Sequence, residues 1–425
     1  MNRLRLLTAG ESHGPGMSGI LEGLPAGMRV VTREVDRDLA RRQHGYGSGR
    51  RMQIERDQVE WTAGMRFGRT LGSPLAFNVA NRDWVNWKER MSVEPIPGGR
   101  RPKAITLARP GHADLAGAIK YDTDDIRDVL ERASARSTAP RVAAGAVARQ
   151  LLAACGVTLW SYCDQLGTIR AFPDAADPNE HVPAGWWRQD RMAPTPLRCP
   201  DPVAEALMRA EVDATIEAGD TIGGSFVVIA EGMPIGVGSN AEWDTRLDAA
   251  LAGAVMGIQA VKGVEIGMGF GVVERRGTAV HDEVIPDAPF WERRTNRAGG
   301  IEGGMSNGAP VVVRAAVKPV ATLRKPLDSV DLRTGRAGRA HIERSDVAIL
   351  PRAAVVAEAM VALALADQLL HTFGGDTIGD LQAAVRRRRA RSRWPRGGAA
   401  TAAAAPDALP DNAAAEATPI VGTDA

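Results

Sequence analysis

Apolar residues recur at intervals of three and four in three long stretches of the chain, which predicts three helices. The first pattern ends at Gly156 and the last at Gly374, where glycine favours a helix C-terminus. The middle pattern starts behind a capping residue, Asp244 or Thr245, and runs to Gly263. The predicted helices are Pro140–Ala154, 245–263 and Ala353–Phe373.

Four shorter stretches with many apolar residues and glycine or proline at their ends predict β-strands over Met17–Gly23, Gly72–Asn81, Gly224–Gly232 and Gly308–Val320. "GILEGLPAGM" and "FVVIAEGMPIGV" share a strand followed by E-G-x-P-x-G, and a helix pattern comes after each. "GSPLAF" and "GAPVVV" repeat in the same order. This self-similarity predicts a duplicated β/α unit with a site on the seam between its copies. Chance similarity is the alternative, because G-x-P turns are common.

Composition narrows the class of protein. Of 425 residues, 44% are hydrophobic, and the net charge of +2 provides no global field for nucleic acid or acidic membranes. Three cysteines without C-x-x-C spacing indicate a reducing compartment. The N-terminus does not resemble a signal peptide, and we find no run of about 18 apolar residues, so we expect a cytoplasmic protein. An Ala/Pro-rich end predicts one domain over residues 1–388 and a disordered tail over 389–425.

Two of the seven histidines lie in glycine-rich loops, His13 in "GESHGPG" and His112 in "ARPGHADLAG". An imidazole exchanges protons near neutral pH, and Arg109 adds a cation beside His112. Hydrogen bonding that caps a turn is the alternative for each histidine. The matching glycine contexts favour acid–base chemistry. "GESHG" differs from the G-x-S-x-G of hydrolases, so Ser12 is not predicted to be a nucleophile.

Arginine-rich stretches predict binding of anions. "ERASARSTAPR" spaces Arg132, Arg136 and Arg141 just before a helix, where guanidinium and backbone N–H groups can bind phosphate. A solvated helix start balanced by Glu131 is the alternative. "LARRQHGYGSGRRM" would hold an anionic ligand or form a basic surface patch, and "GGIEGGMSNGAP" indicates close approach of backbone to a ligand. In "ERSDVAILP", Asp346 is either a helix cap or a base beside an arginine.

Several common sites are not predicted. No G-x-G-x-x-G opens a predicted helix and the chain has no G-x-x-x-x-G-K-[ST], so neither a Rossmann site nor a P-loop is indicated. H-E-x-x-H and comparable His/Asp clusters do not occur either. We therefore expect no metal site.

"GESHGPGMSGILEGLP", "ERASARSTAPRVAAGAV" and "RSDVAILPRAAVVAEAM" resemble the three signature stretches of the chorismate synthase family. "RPGHAD", "KGVEIG", "RRTNRAGGIEGGMSNG" and "VKPVATL" extend the resemblance over about Leu4 to Arg386. It implies an α+β fold, a β–α–β sandwich with internal duplication, whose helices pack between antiparallel sheets in a single large domain. It also implies a carbon–oxygen lyase acting on phosphates. That enzyme removes phosphate and a C6 proton from 5-enolpyruvylshikimate 3-phosphate by anti-1,4-elimination, giving chorismate, the last step of the shikimate pathway.

The resemblance further implies a requirement for reduced flavin mononucleotide (FMN), although the reaction has no net redox change. In the family, the flavin transiently passes an electron that helps phosphate leave. NADPH would serve only to reduce the flavin, and we expect an external flavin reductase because no candidate reductase domain is recognisable. The family also implies a homotetramer that binds neither nucleic acid nor membrane.

The resemblance assigns roles residue by residue. His13 matches the histidine that protonates the reduced flavin near N1, His112 the general acid for the departing phosphate, and Asp346 the carboxylate that relays a proton through flavin N5. The positions that match flavin contacts are Arg132, Ala133, Ser134, Gln259, Ala260, Gly303, Lys318, Pro319, Val320, Ala321, Thr322 and Arg344. The positions that match substrate contacts are Arg42, Ser48, Arg51, Arg109 and Arg136.

One position departs from the family pattern. The family commonly reads G-Y-G-R-G where this chain has "GYGSG", so Ser48 replaces a phosphate-binding arginine. Loss of one charge-assisted contact costs roughly 1.5–3 kcal/mol, so we expect a raised KM with an intact mechanism, unless Arg50 or Arg51 covers the position.

Two alternative functions stay open at this point. One is a flavin- or phosphosugar-binding lyase with a different substrate. The other is a non-enzymatic protein that binds nucleic acid through "RRRRARSRWPR". The affinity of such a protein for nucleic acid would fall steeply as the salt concentration rises, whereas a lyase would release phosphate from its substrate.

Overall fold

The computed structural model describes residues 4–47, 56–99, 102–172, 188, 194–285, 292–343 and 346–392, and these divide into two similar halves. The first half contains β1 (Arg5–Ala9), β2 (Gly16–Glu22), α1 (Thr32–Gln43), β3 (Glu60–Ala63), β4 (Met65–Arg66), β5 (Arg69–Thr70), β6 (Leu75–Ala80), α2 (Asp114–Tyr121), α3 (Arg127–Ala133) and α4 (Thr138–Ala154). The second contains β7 (Thr158–Leu166), β8 (Ile169–Arg170), α5 (Pro202–Ala218), β9 (Gly224–Glu231), α6 (Leu247–Met256), β10 (Val261–Ile266), β11 (Ile301–Glu302), β12 (Met305–Ser306), β13 (Val311–Val317), β14 (Asp328–Val330), β15 (Ala337–Arg339), α7 (Leu350–Phe373) and α8 (Ile378–Arg391).

The first sheet is antiparallel, with strand order β1-β2-β6-β3. Strand β2 alternates buried and exposed residues, because one face covers the core and the other faces outward. Gly19 lies opposite Phe77, and a Cβ on Gly19 would come within 2.3 Å of the Phe77 ring. Glycine at this position therefore makes room for the ring across the strand pair.

The second sheet is also antiparallel, with strand order β10-β13-β9-β7-β8. Residues of β7 and β9 are buried almost without interruption, unlike those of β2. Trp160 and Tyr162 pack on one face of this sheet, and Cys163 and Phe226 belong to the main core on the other. Burial on both faces explains why "SFVVIA" has no polar alternation.

The two halves repeat one topology, which confirms the predicted duplication. Strands β1-β2-β6-β3 correspond to β7-β9-β13-β10, and the pairs β3–β6 and β10–β13 both contain a register shift. Thr70 Oγ1 donates to Pro25 O at 2.6 Å, and Ser306 Oγ donates to Pro234 O at 2.6 Å. The same two hydroxyls accept the amide N–H groups of Met28 and Val237. The two E-G-x-P-x-G turns are thus built alike, down to individual hydrogen bonds.

The long helices lie between the sheets, as the β–α–β sandwich prediction requires. Helix α4 contacts β1, β2 and β6, whereas α7 contacts β7 and β9, and α4 and α7 pack directly on each other. Helix α7 has a mean hydropathy of 1.8 over 18 residues, which by length and composition alone would suit a membrane span. Glu358 interrupts this window, so α7 contains no uninterrupted run of about 18 apolar residues. Within this fold, 83% of that window is buried, so α7 is the central core helix.

The contact between α4 and α7 leads to a stability prediction. A Cβ on Gly145 would lie 2.3 Å from Ala359 Cβ and 2.5 Å from its Cα, whereas a Cβ on Gly253 in α6 would meet nothing within 4 Å. We expect Gly145→Ala to lower the free energy of unfolding by about 1–3 kcal/mol through overpacking. Gly253→Ala, the matched control, is expected to raise it by about 0.5–1 kcal/mol through helix propensity. Chemical denaturation measures both, and equal changes would contradict the close approach.

Most predicted boundaries agree with the structure, and one helix was wrong. The predicted strands and the helices ending near Ala154 and Phe373 are present within a few residues. The helix predicted to run to Gly263 instead ends at Met256, because Val261–Ile266 forms strand β10 beside β13. Helix α8 runs to Arg391 and so includes the first residues assigned to the tail. Residues 393–425 lie outside the described part of the chain.

Helix α8 and the residues just before it form hydrogen bonds with both E-G-x-P-x-G turns. Ala26 N–H donates to Asp376 O just before α8, and Arg388 Nη1 donates to Ile235 O at 3.0 Å near its end. Arg389 Nη2 donates to Gly232 O at 2.8 Å. Two arginines of the run considered for nucleic acid thus bind backbone carbonyls of the fold.

Candidate active site at the seam between the halves

The side chain of one asparagine contacts three carbonyl groups of the glycine-rich turn between β1 and β2. Gly10 has a φ of +109°, and a Cβ there would lie 2.3 Å from Gly16 O, so only glycine fits the bend. Asn81 Nδ2 lies 3.1 Å from Glu11 O, 3.2 Å from Ser12 O and 2.7 Å from Gly14 O. This clamp buries Ser12 and fixes the direction of the neighbouring His13.

His13 is bound to a buried carboxylate. Its Nδ1 lies 2.9 Å from Glu131 Oε1, its backbone N–H donates to Glu131 Oε2 at 2.8 Å, and its ring stacks on Trp87 at 3.8 Å between centroids. Arg127 Nη1 donates to Glu131 Oε1 at 2.7 Å. Burial alone would raise the pKa of Glu131, but the hydrogen bonds from His13 and the charge of Arg127 outweigh it and lower that pKa. Glu131 is only 1% exposed, so the solvated helix start considered for it was wrong.

His112 is bound in the same way by a second buried carboxylate. Its Nδ1 lies 2.5 Å from Asp114 Oδ1, and Arg109 Nε donates to Asp114 Oδ2 at 2.8 Å. Arg109 Nη1 also donates to Thr322 Oγ1 at 3.1 Å. Burial opposes ionisation of Asp114, yet the hydrogen bonds from His112 and Arg109 hold its pKa well below the usual range. Arg109 and Thr322, expected to contact substrate and flavin respectively, thus lie beside this imidazole.

The two imidazoles belong to one continuous network. Glu343 Oε1 lies 3.7 Å from Arg127 Nη2, and Glu343 Oε2 lies 3.8 Å from Arg109 Nη1. Arg127 binds Glu131, the partner of His13, while Arg109 shares Asp114 with His112. Loops separated by about 100 residues therefore meet in one region, as the sequence predicted.

A cluster of buried arginines adjoins this network. Asp57 accepts from Arg42 Nη2 at 2.6 Å and from Arg136 Nη1 at 2.5 Å. Burial would raise the pKa of Asp57, but the two guanidinium groups lower it. Arg136 Nε also donates to Asn81 Oδ1 at 2.7 Å, so this cluster is joined to the clamp on the β1–β2 turn.

Asp346 lies beside the arginine cluster. It forms an ion pair with Arg352, whose pKa is lowered to about 9 by burial and by the nearby charge of Arg42. Helix α7 begins after Ile349 without a side-chain cap, so Asp346 is not its N-cap and that alternative was wrong. Ser48, Arg51 and Arg344, and with them Arg50, lie outside the described residues.

The expected flavin residues form a second group nearby. Gln259 Nε2 donates to Ser137 Oγ at 2.7 Å, while Gln259 Oε1 is buried and, among the described residues, has no hydrogen-bond partner. Ala260 has a φ of +68°, a strained conformation for a residue with a Cβ. Its carbonyl accepts the Lys318 N–H at 2.9 Å, and Lys318 Nζ donates to Gly111 O beside His112. An orphaned acceptor next to a strained backbone indicates a site shaped for a ligand.

Other expected flavin residues extend this group. Ser134 Oγ donates to Ser12 Oγ at 3.1 Å, with Ala133 preceding it, and Arg132 donates to Thr8 O at 2.9 Å at the end of β1. Pro319, Val320 and Ala321 follow Lys318 in the loop that ends at Thr322.

Gly303 lies at a different place. It forms the tip of the β11–β12 hairpin, and the adjacent Gly304 O accepts the Leu247 N–H at the start of α6. Gln259 follows the other end of α6, about 15 Å away by the rise of a ten-residue helix. A Cβ on Gly303 would meet nothing within 4 Å. The structure therefore does not bring Gly303 together with the remaining residues within this chain.

Several polar residues of the site were not singled out from the sequence. Glu131 and Asp114 stand close to quoted motifs, but nothing in their spacing showed that they bind the histidines. The others carry no local signal, because each becomes distinctive only through a partner far along the chain. The residues missed are Asp57, Asn81, Trp87, Asp114, Arg127, Glu131, Glu343 and Arg352. The described residues contain no group of three or more His, Cys, Asp or Glu suited to a metal ion.

Comparison with known proteins identifies the family of this chain. The family model described as "Chorismate synthase" matches residues 4–370. The chain is 52% identical over 383 residues to the chorismate synthase of Thermobifida fusca, covering 89% of this chain and 96% of that one. It is 49% identical over 388 residues to that of Geobacter sulfurreducens, with coverage of 89% and 96%.

A solved structure gives the same result at the level of the fold. The structure titled "Crystal Structure of Chorismate Synthase" superposes with a TM-score of 0.72 at 36% identity, over 92% of this chain and 98% of that one. The match of the family model over most of the chain and the near-complete coverage of these relatives establish the assignment. The chain belongs to the chorismate synthase family.

Proposed function

We propose that this chain eliminates phosphate and a C6 proton from 5-enolpyruvylshikimate 3-phosphate, in an anti-1,4 sense, to form chorismate, with reduced FMN as cofactor. Membership of the family supports this reaction. The observation that carries it is the network joining His13 and His112, each bound at Nδ1 by a buried carboxylate, beside a cluster of buried arginines. Such a site combines proton transfer with recognition of anions.

The arginine cluster supplies the charge for binding. Among the described residues, Asp57 pairs with Arg42 and Arg136, and Asp346 pairs with Arg352, so three guanidinium groups are concentrated in one part of the site. The substrate carries a phosphate and two carboxylates, which guanidinium groups bind with paired hydrogen bonds. Because the arginines are held in place by Asp57 and Asn81, little side-chain entropy is lost when the substrate binds.

The proton transfers are assigned to His112 and Asp346. As the C–O bond to phosphate breaks, its electron pair leaves with the phosphate oxygen, and His112 donates a proton to that oxygen. Asp346 takes up the proton released from C6, so charge and protons balance. Arg352 pairs with Asp346 and holds that carboxylate in place.

The residues present fit a flavin. Gln259 Oε1 offers a buried acceptor that has no partner among the described residues, Ala260 has a strained backbone, and Lys318 provides a cation in the same group. Bound reduced flavin would supply transient electron density that promotes loss of phosphate. His13, held against Glu131 and Trp87, is placed to exchange a proton with the cofactor.

The test is an anaerobic reaction of the purified protein with 5-enolpyruvylshikimate 3-phosphate and reduced FMN. We expect chorismate and inorganic phosphate to form in equal amounts. Diene absorbance measures the chorismate, and a phosphate assay measures the phosphate. Oxidised FMN alone is expected to give no product. Adding NADPH to oxidised FMN is likewise expected to give none until a flavin reductase is supplied. Failure to release phosphate with reduced FMN would favour a lyase with another substrate.

The resemblance also supports proposals about the assembly and its surroundings. We propose a cytoplasmic homotetramer that receives reduced flavin from a separate reductase and binds neither nucleic acid nor membrane. Sedimentation of the purified protein tests the oligomeric state. The alternative is that the arginine-rich segment binds nucleic acid, and measuring binding to duplex DNA at several salt concentrations tests it. Two arginines of that segment, Arg388 and Arg389, bind backbone carbonyls of the fold.

A further inference from the structure

Asp114 is a buried carboxylate with an unusual number of partners and no role assigned by the proposed function. It is the first residue of α2 and has an exposed fraction of 0%. Its Oδ2 accepts the Arg109 backbone N–H at 3.0 Å and Arg109 Nε at 2.8 Å, and its Oδ1 accepts Arg109 Nη2 at 3.0 Å. The remaining contact of Oδ1 is His112 Nδ1 at 2.5 Å.

This short contact determines which nitrogen of His112 carries a proton. An unprotonated Nδ1 would place its lone pair against a carboxylate oxygen at 2.5 Å, which is repulsive. Arg109 Nη2 lies 3.1 Å from Nδ1 and has two N–H groups, so it could donate to an unprotonated Nδ1 as well as to Asp114 Oδ1, but the contact between Nδ1 and the carboxylate would stay repulsive. The shorter contact with the carboxylate therefore favours Nδ1–H donating to Asp114. The proton that His112 gives to the phosphate must then come from Nε2, so the donating form of His112 is the imidazolium, which carries a proton on each nitrogen.

The surroundings let Nε2 act while Nδ1 stays fixed. The His112 side chain is 21% exposed, whereas Asp114 is fully buried beneath it. Arg109 binds Thr322 on its other side, which attaches the group to the loop that starts at Lys318. One carboxylate thus sets the orientation of an imidazole and a guanidinium together.

We propose that Asp114 is a positioning residue that holds His112 with Nδ1 protonated and directs its Nε2 toward the departing phosphate. This inference rests on the proposed function, in which His112 protonates that phosphate. Glu131 binds His13 similarly, but it also accepts the His13 backbone N–H and Arg127. Asp114 is distinctive because both side chains that it orients, Arg109 and His112, come from the same "RPGHAD" loop.

The test compares Asp114→Asn with Asp128→Asn, a matched change of an exposed aspartate on α3. Asparagine keeps the shape of Asp114, but it can donate to Nδ1 and so favours the Nε2–H tautomer of the neutral ring, and it lacks the negative charge that stabilises the imidazolium. We expect kcat to fall about 10²- to 10⁴-fold with KM changed less than about threefold, and no effect of the control. In flavin-free protein labelled with ¹⁵N-histidine, the neutral form of His112, assigned with His112→Gln, is expected to show Nδ1–H in the wild type and Nε2–H in Asp114→Asn.

Two outcomes would overturn the inference. One is an unchanged kcat in Asp114→Asn, and the other is a fall in kcat without a change of tautomer, which would mark Asp114 as structural. If Asp114→Asn does not fold, the wild-type spectrum still decides, because an Nε2–H tautomer there would exclude the proposed contact. The tautomer is measured without flavin or substrate. If the wild-type protein releases no phosphate, the proposed reaction is wrong. The spectrum would still show whether Asp114 sets the tautomer of His112.

Discussion

Replacing His112 with alanine is expected to lower kcat by about 10²- to 10⁴-fold, the usual contribution of a positioned general acid. Without the imidazole, the phosphate must leave as a more basic anion. Reduced FMN is expected to bind with nearly unchanged affinity, because Gln259, Ala260 and Ser134 keep their own contacts. Anaerobic steady-state kinetics with saturating reduced FMN measures the loss, and a flavin titration measures binding.

The control for this substitution is His371→Ala, which removes an exposed imidazole in the last turn of α7. It should leave kcat unchanged. Normal turnover in His112→Ala would remove His112 from the mechanism. Loss of flavin binding together with turnover would instead place His112 in the cofactor site.

Replacing Glu358 with glutamine is expected to lower the free energy of unfolding by about 3–5 kcal/mol, the usual cost of breaking a buried ion pair. Glu358 has an exposed fraction of 0% in the middle of α7. It accepts from Arg41 Nη2 at 2.8 Å, from Arg198 Nη2 at 3.0 Å, and from Arg149. The neutral amide would remove the negative charge shared by three buried guanidinium groups, two of which, Arg41 and Arg149, also pair with Asp38. Chemical denaturation at fixed protein concentration measures the difference.

The control is Glu22→Gln, at an exposed ion pair in which Arg5 and Glu22 are 3.7 Å apart. Its effect should not exceed about 1 kcal/mol, because solvent screens exposed pairs. A similar effect for both substitutions would contradict the importance of the buried cluster.

The effect of Glu358 should depend on pH in one direction. Burial opposes its ionisation, but Arg41, Arg149 and Arg198 lower its pKa well below the ordinary 4.5. Because the pKa of Glu358 is lower in the folded state than in the unfolded state, its ionisation stabilises the fold fully at a pH above the unfolded-state pKa. This stabilisation is lost as the pH falls from the unfolded-state pKa toward the folded-state pKa. The difference between wild type and Glu358→Gln should therefore be constant near neutral pH and shrink below about pH 4.5.

Local pattern was enough to predict several of the long elements of this fold. Strand β2 and helix α4 follow their hydrophobic periodicity, and the repeated E-G-x-P-x-G turns indicated two similar halves. The helix predicted to reach Gly263 failed because apolar residues near Val261 fit a helix or a strand equally well. Val261–Ile266 forms a strand because it pairs with β13, which lies far along the chain.

The candidate site was predictable only in part. His13 and His112 stand out because glycine surrounds them, and the arginine runs indicate anions. Their partners do not stand out, because a buried Asp or Glu has the same local sequence as an exposed one. Glu131 lies 118 residues from His13, and Arg136 lies 79 residues from Asp57.

The sequence by itself determined several long elements, the duplication and the kinds of side chain available for chemistry, since these depend on near neighbours in the chain. Only the tertiary structure decided which carboxylate orients each imidazole, which arginines share a carboxylate, and that Gly303 lies apart from the other expected flavin residues. Ion pairing and burial depend on distances between remote residues, and folding alone sets those distances.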